Sequence, residues 1–314
     1  MAGYILRRVG FGLFIVWAAF TIVFGILYLL PGDPVAAAVG ASGVGSEAAI
    51  EQRREELGFN RPWYEQYFSA LVAAITGGFG RTIATNEVAL DVILRALPNT
   101  LQLAGLALVF TVVIGVGVAV LATLPRAGWL RRLIAGLPPV AVAIPTFWLG
   151  IVLLQVFSFG LGWFPAFDRN DFPSLVLPAL TLGIATGSYL AQVLTAGLRT
   201  EMASPYIEQV RAKGASRSRQ VFGHALRNAA LPGLNIAGVL VGGLVGGTVV
   251  TETVFSRDGL GRVMIDAVNK QETPIVLGVV VLAAVTFVIV TLLVDLITPL
   301  IDRRIVVRAQ RASA

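Results

Sequence analysis

The sequence predicts an all-α membrane protein with six transmembrane helices. Three observations predict it. First, 56% of the residues are hydrophobic and 13% charged, with a mean hydropathy of +0.80; soluble domains carry roughly 25% charged residues. Second, apolar runs near the roughly 20 residues that cross a bilayer core recur six times, at about 9–30, 100–124, 134–160, 175–197, 233–254 and 275–300. Third, the arginines and lysines gather in alternate connecting segments.

The first run is too long for the 7–15-residue apolar core of a signal peptide, and LPGDPV follows it in place of a clear A-x-A cleavage site. Pro31, Gly32 and Pro34 end it sharply. The segment 31–99 then reads as a helical external loop. Ser46 suits the N-cap of a helix over about 47–57, stopped by Gly58. Pro62 suits the first turn of a second helix, on which Trp63, Phe68, Leu71 and Ile75 recur at roughly helical spacing before Gly77, Gly78 and Gly80. The segment 252–270 has a turn at Arg257-Asp258-Gly259 and a helical run GRVMIDAV.

Charge fixes the expected orientation. With the N-terminus inside, the cytoplasmic segments hold fifteen of the twenty-four basic residues, whereas the outer segments hold fourteen of the eighteen acids. The positive-inside rule therefore places both termini in the cytoplasm. The pI near 10.2 is explained by a basic face toward anionic lipid, so no nucleic-acid partner is required. Cysteine is absent, which excludes a disulfide framework, and the single histidine, His224, argues against a histidine metal cluster or a Ser-His triad. No catalytic, cofactor-binding or metal-binding residues are expected in this chain.

The basic island YIEQVRAKGASRSRQVFGHALRNAALP at 206–232 is the most informative segment. Ser204 suits an N-cap and Pro205 the first helical position of a short helix over about 204–213. Gly214 follows where φ > 0 is tolerated, and Leu231-Pro232 reads as the stop of a second helix. Glu208 and Gly214, six residues apart, resemble the Glu and Gly of the EAA loop of ATP-binding-cassette importer permeases, with Gln209 and Val210 where that motif has alanines. Further segments in the same order resemble the dipeptide/oligopeptide permease branch: LPGDP at 30–34, LGFNRPWYEQY at 57–67, PNTLQLA at 98–104, IPTFWLG at 144–150, LPALTLG at 177–183, ETVFSRDGLGR at 252–262 and DLITPLIDRRI at 295–305. Gly78 replaces an acid of the family pattern, and Arg303 replaces a proline.

The resemblance implies a type I importer permease fold in a bacterial cytoplasmic membrane. Its divisions are 1–30, N-terminus and first span; 31–99, external helical loop; 100–301, a five-span core containing the coupling loop 198–232; and 302–314, a basic tail. It implies a second homologous permease subunit, two nucleotide-binding domains that carry ATP and Mg, and an external solute-binding protein. The chain has no G-x-x-x-x-G-K-[ST] of its own, so it is not expected to be an enzyme. Tyr206, Ile207, Glu208, Arg211, Gly214, Ala215 and Ser216 are the expected ATPase-coupling loop, with Tyr206 and Ile207 offering apolar contact to the partner. Short peptides are the expected cargo; glutathione, nickel complexes and haem are the alternatives within the branch.

Glu252, Gln102, Gln192 and Asn235 are candidates for the pathway or an external gate, since polar groups in spans must find partners or water. Helix–helix hydrogen bonding is the competing reading for each, and for Gln155. Asp295 is the acid well inside a span, where a capping role competes with transport chemistry. The run GVLVGGLVGG at 238–247 reads as close helix packing, not phosphate binding. A stand-alone secondary transporter or channel would leave the EAA-like loop without a purpose. An intramembrane hydrolase would need a Ser/His or Asp/Asp pair that the spans lack.

Overall fold

The computed structural model describes residues 2–36, 47–167 and 171–301. Ser46, the tail 302–314 and the side chains of Asn235 and Asp295 lie outside the described residues. The described secondary structure is helical apart from an isolated antiparallel bridge between Arg81 and Val88. Among the described residues, four helices are long and apolar enough to cross a membrane, or up to six if each of two bent pairs counts as one span. The chain divides into two compact units, 1–101 with 257–288 and 102–256 with 289–314.

In the first unit, α1 (Ala2–Leu29) is followed by α2 (Glu47–Leu57) and α3 (Trp63–Thr76). Gly58 closes α2 at φ +74°, donating to Glu55 while Phe59 donates to Arg54; this is the paired hydrogen bonding of a Schellman end. Pro62 stands at the N-cap of α3, one position before the expected first turn. The Tyr67 hydroxyl meets Trp17 Nε1 at 3.0 Å and Thr21 Oγ1 at 2.8 Å, and its ring packs on Phe20 and Phe24. Trp17 lies twelve residues before the end of α1, roughly 18 Å along it. Part of the expected external loop therefore runs beside the first span. The outer face of α3 leaves Phe68, Val72 and Ile75 exposed.

The long helix α4 (Ala89–Leu121) begins eleven residues before the expected span. Its first turns pack Ala89 and Ile93 against a short helix (Leu260–Asn269, α12 below) and the start of the last span (Thr273–Ile301, α13 below). Buried Glu272 accepts from the amides of Ile83 and Ala84 at 2.6 and 2.8 Å, satisfying its carboxylate with backbone. Asn99 donates to the Asp258 carbonyl and Thr100 accepts the Leu260 amide, both at 2.8 Å. The Pro-Asn-Thr of α4 thus ties down the chain that enters the Leu260–Asn269 helix.

In the second unit, α5 (Gly128–Ala143) and α6 (Thr146–Leu153) meet at a bend of 107°. The expected straight span 134–160 is two helices because Pro145 forces Ile144 into extended backbone, φ −81° and ψ 124°. A π-helical stretch, Leu154–Gly160, completes the pair and carries exposed Gln155. Next, α7 (Phe172–Met202) is the hub: 72% of its apolar stretch is buried, against 17% for α1. It is capped by Asp171, whose carboxylate accepts the Ser174 amide at 3.0 Å. A Cβ on Gly183 would lie 2.3 Å from Phe110 Cβ, so only glycine permits that approach. Thr111 and Thr186 join across it, hydroxyl to hydroxyl, at 2.5 Å.

Four helices follow: α8 (Pro205–Ala212), α9 (Arg217–Gln220), α10 (Leu226–Asn235) and α11 (Ala237–Val254), with a π-helical turn Val221–Ala225 between α9 and α10. Pro232 does not stop α10 but lies inside it; its missing N–H precedes a 62° bend into α11. In the glycine-rich stretch of α11, a Cβ on Gly247 would come 2.7 Å from Leu182 of α7, so close packing is what that run provides. The remaining elements are α12 (Leu260–Asn269) and α13 (Thr273–Ile301).

Candidate coupling site

The chain leaves α7 through a tight turn in which Ser204 N–H donates to the Glu201 carbonyl at 3.0 Å. Ser204 occupies the N-cap of α8 with extended backbone, φ −80° and ψ 149°, but its hydroxyl bonds back to the Glu201 carbonyl and caps nothing. Pro205 at the first helical position needs no hydrogen-bond partner there. At the other end, Gly214 stands at φ +82°. Its amide donates to Arg211 at 2.9 Å and that of Ala215 to Val210 at 3.3 Å, a Schellman end like that of α2. No atom lies within 4 Å of a Cβ placed on Gly214, so the demand for glycine is conformational and not steric.

Two side chains hold α8 to the rest of its unit. Ile207 is 3% exposed and packs among Leu198, Val221, Ala225 and Ala119. The expectation that it offers apolar contact to a partner is therefore corrected: in an eight-residue helix it is the side chain that supplies the anchor. Tyr206 is half-buried; its hydroxyl donates to Glu201 Oε2 at 2.6 Å, and Asn228 Nδ2 reaches both atoms at 3.2 Å. Burial first, and then the hydrogen bond to Glu201, raise the phenol above its ordinary pKa. Its polar tip is thus engaged within the chain as well.

The loop beyond Gly214 is equally fixed. Ser216 caps α9 by accepting the Arg219 amide at 3.3 Å, and Gln220 Nε2 donates to Ala215 O at 2.8 Å. Arg217 donates through Nε and Nη2 to the Thr123 carbonyl just past α4, at 3.0 and 2.9 Å; a cation at a helix C-terminus is favoured by its dipole. What remains exposed is a polar face of Glu208, Gln209, Arg211, Lys213, Gly214 and Ser216, with Ala215 half-buried behind it. His224 is exposed, as expected, beside exposed Phe222. A cavity of about 570 Å³ opens beside this face, lined by Glu208, Arg211, Ser216 and Arg217 together with Arg126, Arg131 and Arg199.

The seven residues expected to form a coupling loop therefore make one contiguous element, divided into inward anchors and an outward face. Sequence reasoning missed Glu201, Asn228 and the Arg217–Thr123 clamp. A Glu five residues before a Tyr carries no periodic signal, and Asn228 and Thr123 are distant in the chain. The four expected pathway residues are dispersed over four helices: Gln102 is exposed on α4, Gln192 half-buried on α7 and Glu252 wholly buried on α11, while Asn235 ends α10. Among the described residues no cluster of His, Asp and Glu could hold a metal ion.

Residues 112–307 match the family of binding-protein-dependent transport system inner membrane components, and residues 1–104 match the N-terminal region of the same class of membrane component. The chain is 29% identical to the dipeptide transport system permease protein DppB of Alkalihalophilus pseudofirmus, over 97% of this chain and 99% of that one. It is 33% identical to a probable peptide ABC transporter permease of Sinorhizobium fredii, over 97% and 99%. With the glutathione transport system permease protein GsiC of Escherichia coli K12 the identity is 31%, over 95% and 96%. Among solved structures, an inward-facing MetNI methionine ABC transporter chain superposes with a TM-score of 0.57 at 21% identity, over 67% of this chain and 96% of that one, a likeness of fold. The chain belongs to the family of binding-protein-dependent transport system inner membrane components.

Proposed function

We propose that this chain is the permease subunit of an ATP-driven importer, forming half of a translocation pathway for short peptides delivered by an external solute-binding protein. A second, homologous permease subunit completes the pathway. Two nucleotide-binding domains bind ATP and Mg and dock on α8. The observation that carries this reading is the division of the 206–216 element. Its anchors face the chain's own core, and its charged face of Glu208, Arg211 and Lys213 is left to a soluble partner. The names of the dipeptide and peptide relatives support the cargo class; the glutathione permease, itself a carrier of a tripeptide, lies within the same chemistry. The charge asymmetry supports cytoplasmic termini and a multi-pass chain in the bacterial inner membrane.

The test is reconstitution of the chain with its partner permease, nucleotide-binding subunits and receptor. Receptor-stimulated ATP hydrolysis and uptake of a labelled dipeptide are measured together. Gly214→Val, penalised where φ > 0 is needed, and Glu208→Arg, reversing a charge at a docking face, are each expected to reduce uptake at least about tenfold while the complex still inserts. Undiminished uptake in both variants would show that residues 206–214 do not couple hydrolysis to transport. The chain alone in proteoliposomes is expected to support no uphill uptake.

A further inference from the structure

The cavity beside α8 concentrates charge of one sign. Arg126 reaches it from the α4–α5 connection, Arg131 from the first turn of α5, Arg199 from the last turn of α7, Arg211 from α8 and Arg217 from α9. Glu208 is the one acid on its wall. Among the described residues no carboxylate forms an ion pair with any of the five arginines. Arg131 and Arg217 are half-buried, so their guanidinium groups are only partly screened by water. A smaller cavity of about 180 Å³ shares Arg131 and Arg199 and adds Arg132 and the start of α5 at Gly128.

Five like charges held together with one acid among them are costly unless an anion joins them. Guanidinium forks match a phosphate in geometry as well as charge. The neighbouring surface indicates where such an anion would come from. Trp129 and Leu133, on the first turns of α5, are 69% and 59% exposed, directly beside Arg131 and Arg132. An exposed tryptophan next to arginines at the end of a span is the composition of a headgroup layer.

We propose that the arginine-lined cavity is a binding site for a phosphate-bearing anion, supplied by an anionic phospholipid headgroup, whose occupancy neutralises the wall behind the coupling helix. The site goes beyond the importer assignment and involves neither Gly214 nor cargo. The phosphate lies among Arg131, Arg199 and Arg217, and the acyl chains lie along the apolar outer face of α5.

The test is native mass spectrometry of the purified full chain in detergent, with phosphatidylglycerol or phosphatidylcholine added, and with inorganic phosphate as competitor. The wild-type chain is expected to retain phosphatidylglycerol over phosphatidylcholine by at least about tenfold. Arg131→Gln with Arg199→Gln should abolish that preference, and the corresponding pair of lysine variants should keep most of it. If the glutamine pair does not fold, as read by its thermal midpoint, Arg126→Gln with Arg211→Gln, both on exposed residues, should lower the preference in its place. Retention unaffected by millimolar phosphate identifies the lipid headgroup; displacement by phosphate identifies the free anion in the same site. Equal retention of both lipids by the wild-type chain, or an undiminished preference in a folded glutamine variant, would overturn the proposal. The arginines would then be left to an acidic face of a partner protein.

Discussion

Two short helices, α8 and α12, connect spans of this chain, and they are held in opposite ways. The ten residues of α12 place Leu260, Val263, Met264 and Ala267 on one stripe, packed against Ile93, Ile275 and Val276. In the eight residues of α8, Ile207 alone is buried. The rest of its stability comes from its ends: Pro205, the Gly214 Schellman closure and the Tyr206–Glu201–Asn228 tie. A helix of eight residues is not stable by itself, so α8 depends on these local devices where α12 depends on area. The contrast separates a helix committed to its own unit from one whose outer surface is left uncommitted.

The comparison can be broken most severely at α12. Ala267 is 2% exposed, and Ala267→Asp places a charge without a partner in an apolar cluster. A loss of about 3–5 kcal/mol is expected, read as failure to recover folded protein or a collapse of the thermal midpoint in detergent. Asp266→Asn, on the exposed side of the same turn, should change the midpoint little; equal losses would mean that the stripe is not what holds α12.

At α8 a smaller effect is expected. Ile207→Ala removes the single apolar anchor and should cost about 2–4 kcal/mol, while Glu208→Arg next to it should stay within about 0.5 kcal/mol. Parallel thermal melts of the two variants test the division of the helix into anchor and outward face. Indistinguishable midpoints would erase it.

The smallest effect concerns the tie. Tyr206→Phe removes one partly buried hydroxyl, at about 1 kcal/mol. The folded-state phenol pKa is raised by burial and by Glu201. The stability it contributes is therefore fully present below the ordinary tyrosine value of about 10 and is lost as pH rises through the folded value. The difference in midpoint between wild type and Tyr206→Phe should be constant from about pH 6 to 9 and should narrow only above about 10. A difference that changes near neutrality would assign the effect to another group.

The elements of the fold were legible wherever local chemistry decides them. The ends of α2 and α3 follow from Gly58 and Gly77, both at positive φ, and the six apolar runs follow from length alone. The breaks were less legible. Pro145 is visible in the sequence, but a 107° turn requires knowing that nothing re-straightens the chain after Ile144. Pro232 was misread as a stop because one missing hydrogen bond near a helix end is tolerated when tertiary packing continues the helix. At the site, Gly214 and Pro205 announced α8. The inward turn of Ile207 did not show, since one apolar residue in an eight-residue helix has no periodicity to reveal its face. The clamp from Arg217 to Thr123 spans ninety-four positions and leaves no local trace.

The attachment of α8 has a mechanical consequence. Tyr206 is bonded to Glu201, within the last turns of α7, and Ile207 is wedged against Leu198 of the same helix. The joint between the two helices is therefore stiff, and a push on the short arm is not dissipated in the turn at Ala203-Ser204. The long arm, α7, has 31 residues and extends about 46 Å. If α7 moves as a rigid arm about this joint, a rotation of about 5° sweeps its far end through about 4 Å, close to the width of a side chain, so a movement too small to unseat the contacts at the short arm becomes a side-chain-sized displacement at the other end.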